Sequence, residues 1–251
     1  MGRVFKLLGV LLLAVACQPK PMLAPAPKLP TAPGVKVKPA SGTPLRIALI
    51  GDSFSVQLDP PEPSWPDLIW QNLTEAGLPV SPDVSAIGGT GYVNRAGGTE
   101  VFGERAAKIV SPDDTLVVFI GSRNDTAEPE MFNKLPGAAH AAYAKVRKVA
   151  KNATLLAVGP IWPEGTPGPY WRRATDIVHD EAIAAGAVWV DPVAEGWLVG
   201  HPEMLRDGVH PNEAGNLELA RLITPVMLGI LTGQPPIPPP EAPPLAAGAN
   251  P

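Results

Sequence analysis

Short apolar runs alternate along most of the chain with longer stretches in which hydrophobic positions recur every three or four residues. The runs at 46–50, 115–120, 154–158 and 187–190 show no polar alternation, and they stop at Gly51, Gly121, Gly159-Pro160 and Asp191-Pro192. Strands buried on both faces read this way. Residues 80–87 form a weaker strand, interrupted by Pro82. The stretches 65–76, 100–110, 138–150 and 170–185 read as helices. A last helix is expected from Asn212, whose side chain can cap it, with Pro225 kinking or ending it. This alternation predicts an α/β domain built on a parallel sheet covered by helices. In such sheets ligands bind beyond the carboxyl ends of the strands, so the chemistry is expected in the turns that follow them.

Composition narrows this picture to one domain with proline-rich flanks. Eight of the 33 prolines fall in residues 18–45 and eight more in 234–251. Proline removes backbone donors and stiffens the chain, and few large apolar residues are present there to offset the entropy of ordering. The predicted organisation is a signal segment at 1–17, a linker at 18–45, a domain at 46–233 and a disordered tail at 234–251. The single cysteine, Cys17, excludes an intrachain disulfide and a Cys-rich metal site. It ends a segment in which Arg3 and Lys6 precede the apolar stretch 7–16, too short to span a membrane comfortably. That segment resembles the lipobox of bacterial lipoproteins, which implies lipidation of Cys17 and a chain secreted across the cytoplasmic membrane and anchored at the cell envelope. Ala14-Val15-Ala16 would also serve an ordinary signal peptidase.

Charge points the same way. The 46–233 region carries nine net negative charges, which argues against a nucleic-acid partner. Lys20, Lys28, Lys36 and Lys38 make the linker purely basic, suited to an anionic membrane surface or simply solvated. The chain is expected to act as a monomer.

The first strand leads into Gly51-Asp52-Ser53-Phe54-Ser55, which places a serine hydroxyl at a strand end. A serine is a weak nucleophile without a base, and the base needs a group that fixes its tautomer. Asp207-Gly208-Val209-His210 offers both, three residues apart and just before a helix. Alone, Ser53 reads as a helix-capping serine and Asp207 as a turn residue. Two further segments change that balance: Gly88-Gly89-Thr90-Gly91 can expose backbone N–H groups, and Gly121-Ser122-Arg123-Asn124-Asp125 offers an uncharged amide at a strand end. Together they can form an oxyanion hole.

These four blocks, in this order, resemble those of the SGNH, or GDSL, hydrolase family, from residue 50 to about 222. The resemblance implies a three-layer α/β/α, flavodoxin-like fold. It also implies Ser53 as nucleophile, His210 as base, Asp207 as its orienting acid, and an oxyanion hole from the Ser53 N–H, the Asn124 amide and the Gly91 N–H, with Gly88 as the alternative glycine. Ser122 departs from the family pattern by standing where a glycine is usual.

No Gly-x-Ser-x-Gly elbow occurs, and His140, His179, His201 and His210 include no His-Glu-x-x-His pair, so no metal or other cofactor is expected. Trp65 and Trp70 are expected in the core. Trp162, Tyr170 and Trp171 either rim the site, stacking on sugars or holding an acyl chain, or bury against helices. Arg123 is expected to pair with Asp125 or Glu128. The expected activity is hydrolysis of acyl or acetyl esters of envelope glycans or lipids through an acyl-Ser53 intermediate, falling as His210 protonates. Acyl transfer to a glycan hydroxyl and ligand binding without turnover are the alternatives.

Overall fold

The computed structural model describes residues 43–56, 63–126 and 129–234. Cys17, Glu128, the linker through residue 42 and the tail from 235 lie outside the described residues, and the expectations attached to them with it. Five parallel strands, β1 (Leu45–Gly51), β2 (Val80–Ala86), β3 (Asp114–Ile120), β4 (Thr154–Val158) and β5 (Val188–Val190), form one sheet in the order β2-β1-β3-β4-β5. The helices are α1 (Trp65–Glu75), α2 (Phe102–Ile109), α3 (Pro129–Val149), α4 (Pro169–Ala184) and α5 (Glu213–Thr232).

The unbroken apolar strands follow from burial on both faces. Ile47 and Leu49 of β1 pack with Trp65, Ile69 and Leu73 of α1 and with Leu219, Ile223 and Met227 of α5. Their neighbours Ala48 and Ile50 point the other way, into a second cluster with Phe102 of α2, Tyr143 and Val146 of α3 and Val178 of α4. A strand sandwiched in this manner has no solvent face to mark with polar residues. The result is the three-layer α/β/α sandwich with flavodoxin-like strand order. The apolar helix α5 is long enough to cross a membrane, but more than half of its apolar window is buried inside the protein, where Leu219, Ile223 and Met227 serve as core.

Three local expectations are corrected. Strand β2 runs unbroken through Pro82 because it lies at the sheet edge, where proline is tolerated. Helix α3 begins at Pro129, nine residues earlier than the pattern suggests, and carries Pro136 inside it. Burial of Phe132 and Leu135 outweighs the breaking tendency of Pro136-Gly137. Helix α5 likewise continues past Pro225 to Thr232, since Thr224, Pro225 and Met227 are all buried. Its start agrees with expectation: the Asn212 side chain accepts the Gly215 N–H at 3.1 Å.

Strand order reverses at β1, because the chain leaves it for β2 on one side and reaches β3 on the other. The crevice at such a switch point lies beyond the carboxyl ends of β1 and β3. Ser53 follows β1 and Asn124 follows β3.

Candidate active site

The turn after β1 is built to hold one hydroxyl in place. Asp52 caps it, with Oδ1 accepting the Phe54 N–H at 3.0 Å. Residues Ser53–Ser55 then make one turn of 3-10 helix. The Phe54 carbonyl accepts the Trp65 indole N–H at 2.7 Å, which ties the turn to α1. Trp65 is thus a core residue, as its position on the first helix suggests.

The opposing group sits on a local hairpin. Leu205 and Pro211 form a bridge, and the Arg206 N–H donates to the His210 carbonyl at 3.0 Å. Gly208, at φ 82°, supplies the left-handed residue that closes the turn. Asp207 Oδ1 accepts the N–H groups of Val209 and His210 at 3.0 and 2.8 Å. Its Oδ2 lies 2.7 Å from His210 Nδ1, and His210 Nε2 lies 2.9 Å from Ser53 Oγ. A carboxylate can only accept, so Nδ1 carries the proton and the Nε2 lone pair faces the serine. The His210 backbone N–H, followed by its ring, holds the Asp207 carboxyl well below the usual carboxylate range. Asp207, His210 and Ser53 therefore form one line along which a proton can leave the serine.

The expected anion site is partly revised. The Gly91 N–H donates to the Asn94 carbonyl at 3.0 Å and is not available to an oxyanion. Gly91 is glycine for another reason: a Cβ there would overlap the Asp125 carboxylate. That carboxylate accepts the N–H groups of Tyr92, Val93 and Asn94 at 2.8, 2.9 and 2.8 Å. Gly88 is the better-placed glycine, since a Cβ on it would contact Ser53 Cβ at 3.6 Å. Among the described residues the N–H groups of Ser53, Gly88 and Gly89 meet no acceptor. Asn124 lies on the 3-10 turn Arg123–Thr126, and one N–H of its amide donates to the Thr90 carbonyl at 2.9 Å, leaving the other to point elsewhere.

Arg123 departs from expectation as well. With Asp125 occupied by backbone donors, its guanidinium pairs in a fork with Glu164 at 2.9 and 3.0 Å and stacks 4.2 Å from the centre of the Trp162 ring. The three aromatics separate: Trp171 is buried, Trp162 is half-buried, and Tyr170 is exposed and stacked on Phe132. His140, His179 and His201 sit beside Glu181, Asp180 and Glu203, away from this line.

Two buried charges under the site escape the sequence reading. The Asp52 carboxyl is 1% exposed and its Oδ2 has no partner among the described residues. Burial pushes it up to about 7, against the pull of the Phe54 N–H. Arg105 of α2, also 1% exposed, reaches the ends of β1 and β2. The available signal was a charge in the apolar stripe that includes Phe102, Ala106 and Ile109.

Residues 49–217 match the GDSL-like lipase/acylhydrolase family. The chain is 40% identical over 193 residues to the GDSL lipase Rv0518 of Mycobacterium tuberculosis, covering 74% of this chain and 83% of that protein. Among solved structures it is similar to that of TesA, with a TM-score of 0.59 and 24% identity over 74% of this chain and 99% of that one. The lipase/acylhydrolase of Enterococcus faecalis superposes with a TM-score of 0.58 at 15% identity, over 74% and 96% of the two chains. With nearly the whole described sheet inside the matched span, the chain belongs to the GDSL-like lipase/acylhydrolase family and is a hydrolase acting on ester bonds.

Proposed function

We propose that the chain cleaves oxygen esters in two steps through an acyl group carried on Ser53. The observation that supports this most is the line Asp207, His210, Ser53, with contacts of 2.7 and 2.9 Å. Neutral His210 accepts the Ser53 proton at Nε2 as Oγ bonds to the ester carbon. The carbonyl oxygen becomes an oxyanion facing the N–H groups of Ser53 and the Gly88-Gly89 turn and the free N–H of the Asn124 amide. The bond to the alcohol oxygen then breaks, and that oxygen takes the proton from His210. A water next gives a proton to His210 as it attacks the acyl carbon, and collapse of the second tetrahedral species restores Ser53 and releases the carboxylic acid. Asp207 keeps the Nδ1 proton and stabilises the imidazolium that forms.

The substrates in this reading are acyl or acetyl esters of envelope glycans or lipids, turned over by a monomer outside the cytoplasmic membrane. The layout of residues 1–17, ending in the sole cysteine, supports that location. Mature protein without lipid on Cys17 would overturn the anchor. For the chemistry, a Ser53→Ala chain should fold but lose hydrolysis of short p-nitrophenyl esters, while the parent briefly incubated with substrate should show an acyl mass on the Ser53 peptide. Parental turnover by the variant would remove Ser53 as the nucleophile.

A further inference from the structure

Arg105 occupies a place where an apolar residue would satisfy the packing. It lies on the buried face of α2 between Phe102 and Ala106, yet it brings a guanidinium into the interior. Such a group is costly to bury unless its protons are used. The protons of its two Nη atoms are used on three separate pieces of backbone and side chain, while Nε has no partner among the described residues. Nη2 donates to the Gly51 carbonyl at 2.9 Å and to the Thr90 hydroxyl at 2.8 Å, and Nη1 donates to the Ser85 carbonyl. Gly51 is the last residue of β1, two positions before Ser53. Ser85 lies at the end of β2, and Thr90 closes the Gly88-Gly89 turn. Thr90 carries the contact onward: its hydroxyl donates to the Ile87 carbonyl at 2.7 Å, and its own carbonyl accepts the Asn124 amide at 2.9 Å. Although burial lowers Arg105 to about 10, it remains charged at neutral pH.

We infer that Arg105 is a positioning residue for ester hydrolysis: its fork fixes the spacing between the Ser53 turn and the oxyanion donors on the Gly88-Gly89 turn and Asn124. This rests on the reading of Ser53 as nucleophile. Those donors come from three different strand ends, and Arg105 contacts two of them directly and the third through Thr90. Lysine cannot replace it, because one ammonium lacks the planar spread that reaches Gly51, Ser85 and Thr90 at once. Reaction rate is sensitive to such spacing, with a displacement of about 1 Å costing on the order of a hundredfold.

The test compares full-length Arg105→Lys, Thr90→Val and the double variant with the parent on p-nitrophenyl acetate and butyrate. Each single variant should lower kcat about tenfold to a hundredfold, with KM within about twofold. Inactivation by a phosphonate ester, whose phosphoryl oxygen must enter the same hole, should slow by a similar factor. The double variant should be no slower than the slower single one, since both interrupt the same chain of contacts. Parental kcat per folded molecule in either single variant, a loss confined to KM, or losses that multiply in the double variant would overturn the inference. If Arg105→Lys fails to fold, Thr90→Val decides alone. Ser53→Ala, assayed alongside, separates the two readings. An active Ser53→Ala chain removes the nucleophile itself, whereas an inactive one beside parental Arg105→Lys and Thr90→Val chains removes only the role of Arg105.

Discussion

The two halves of the site are held by opposite means. The Asp207–His210 half is a hairpin stabilised within itself: Asp207 accepts two N–H groups from the next three residues, and its side chain is 47% exposed. The Ser53 half is assembled from residues far apart in sequence. Its turn leans on Trp65, the end of its strand on Arg105, and the neighbouring turn on Asp125, which takes three N–H groups from residues 92–94. A local, wet hairpin can be altered chemically without disturbing the fold. A buried, long-range assembly cannot, so changes there should register in stability as well as in rate.

The largest effect tests the first half. Asp207→Asn should lower kcat by roughly a thousandfold to ten-thousandfold, because an amide can stabilise the wrong tautomer of His210 and cannot balance the imidazolium. The melting temperature should fall only modestly, since Asn Oδ1 can still accept the Val209 and His210 N–H groups on this exposed hairpin, although the charge that strengthens them is lost. Unfolding of this variant under parental conditions would show that the hairpin carries more of the fold than its exposure suggests.

The next effect belongs to the second half and appears in stability against pH. Asp52 is raised from 3.8 to about 7 by burial, with Asp125 adding to the rise and His210 and Arg105 opposing it. A carboxyl whose folded value exceeds its unfolded one keeps its proton longer in the folded state. Stability is therefore unaffected by Asp52 below about pH 4, falls as pH climbs towards 7, and carries the full cost above that. The cost is at most about 4 kcal/mol. Asp52→Asn keeps the acceptor for the Phe54 N–H and removes the ionisation, so urea unfolding midpoints should decline less between pH 4 and 8 than in the parent. Equal declines would acquit Asp52. Asp207 contributes in the other direction, since its depressed carboxyl stabilises the fold above the usual carboxylate range and loses that contribution only in stronger acid.

The same contrast explains what could be read from the sequence. Ser53, Asp207, His210 and Asn124 are all brought to one crevice, because each follows a strand or sits in a short turn whose geometry its neighbours set. Strands and most helix positions were legible for the same local reason. Gly91 misled, because a glycine that admits a bound substrate and one that admits the Asp125 carboxylate look identical in sequence. Arg123 went to Glu164, 41 residues away, and no local pattern encodes that partner. Asp52 is invisible as a buried charge, for burial is a property of the assembled sheet, and Arg105 leaves only the trace of a charge within the apolar stripe of α2. Pro225 reads as a breaker because its local cost is visible, whereas the packing that offsets it is not, and the early start of α3 ahead of Pro136 is hidden for the same reason.

Both halves also need a residue in the left-handed region, and they meet the need differently. The hairpin uses Gly208 at φ 82°, where no side chain is strained; the β3 end uses Ser122, fully buried, at φ 92°. A serine held there stores strain on the order of 1 kcal/mol or more. Ser122→Gly relieves that strain, though glycine also loosens the unfolded chain by somewhat less. The variant should be more stable by roughly a few tenths of a kcal/mol, the difference of those two effects, in urea unfolding. Its kcat should stay within about twofold of the parent, because the Thr90 carbonyl still holds the Asn124 amide, and changes of spacing much smaller than 1 Å are well tolerated. A less stable variant would mean that the serine side chain contributes more packing than its backbone costs. A large fall in kcat would mean that the strained turn, and not Thr90, sets the direction of Asn124.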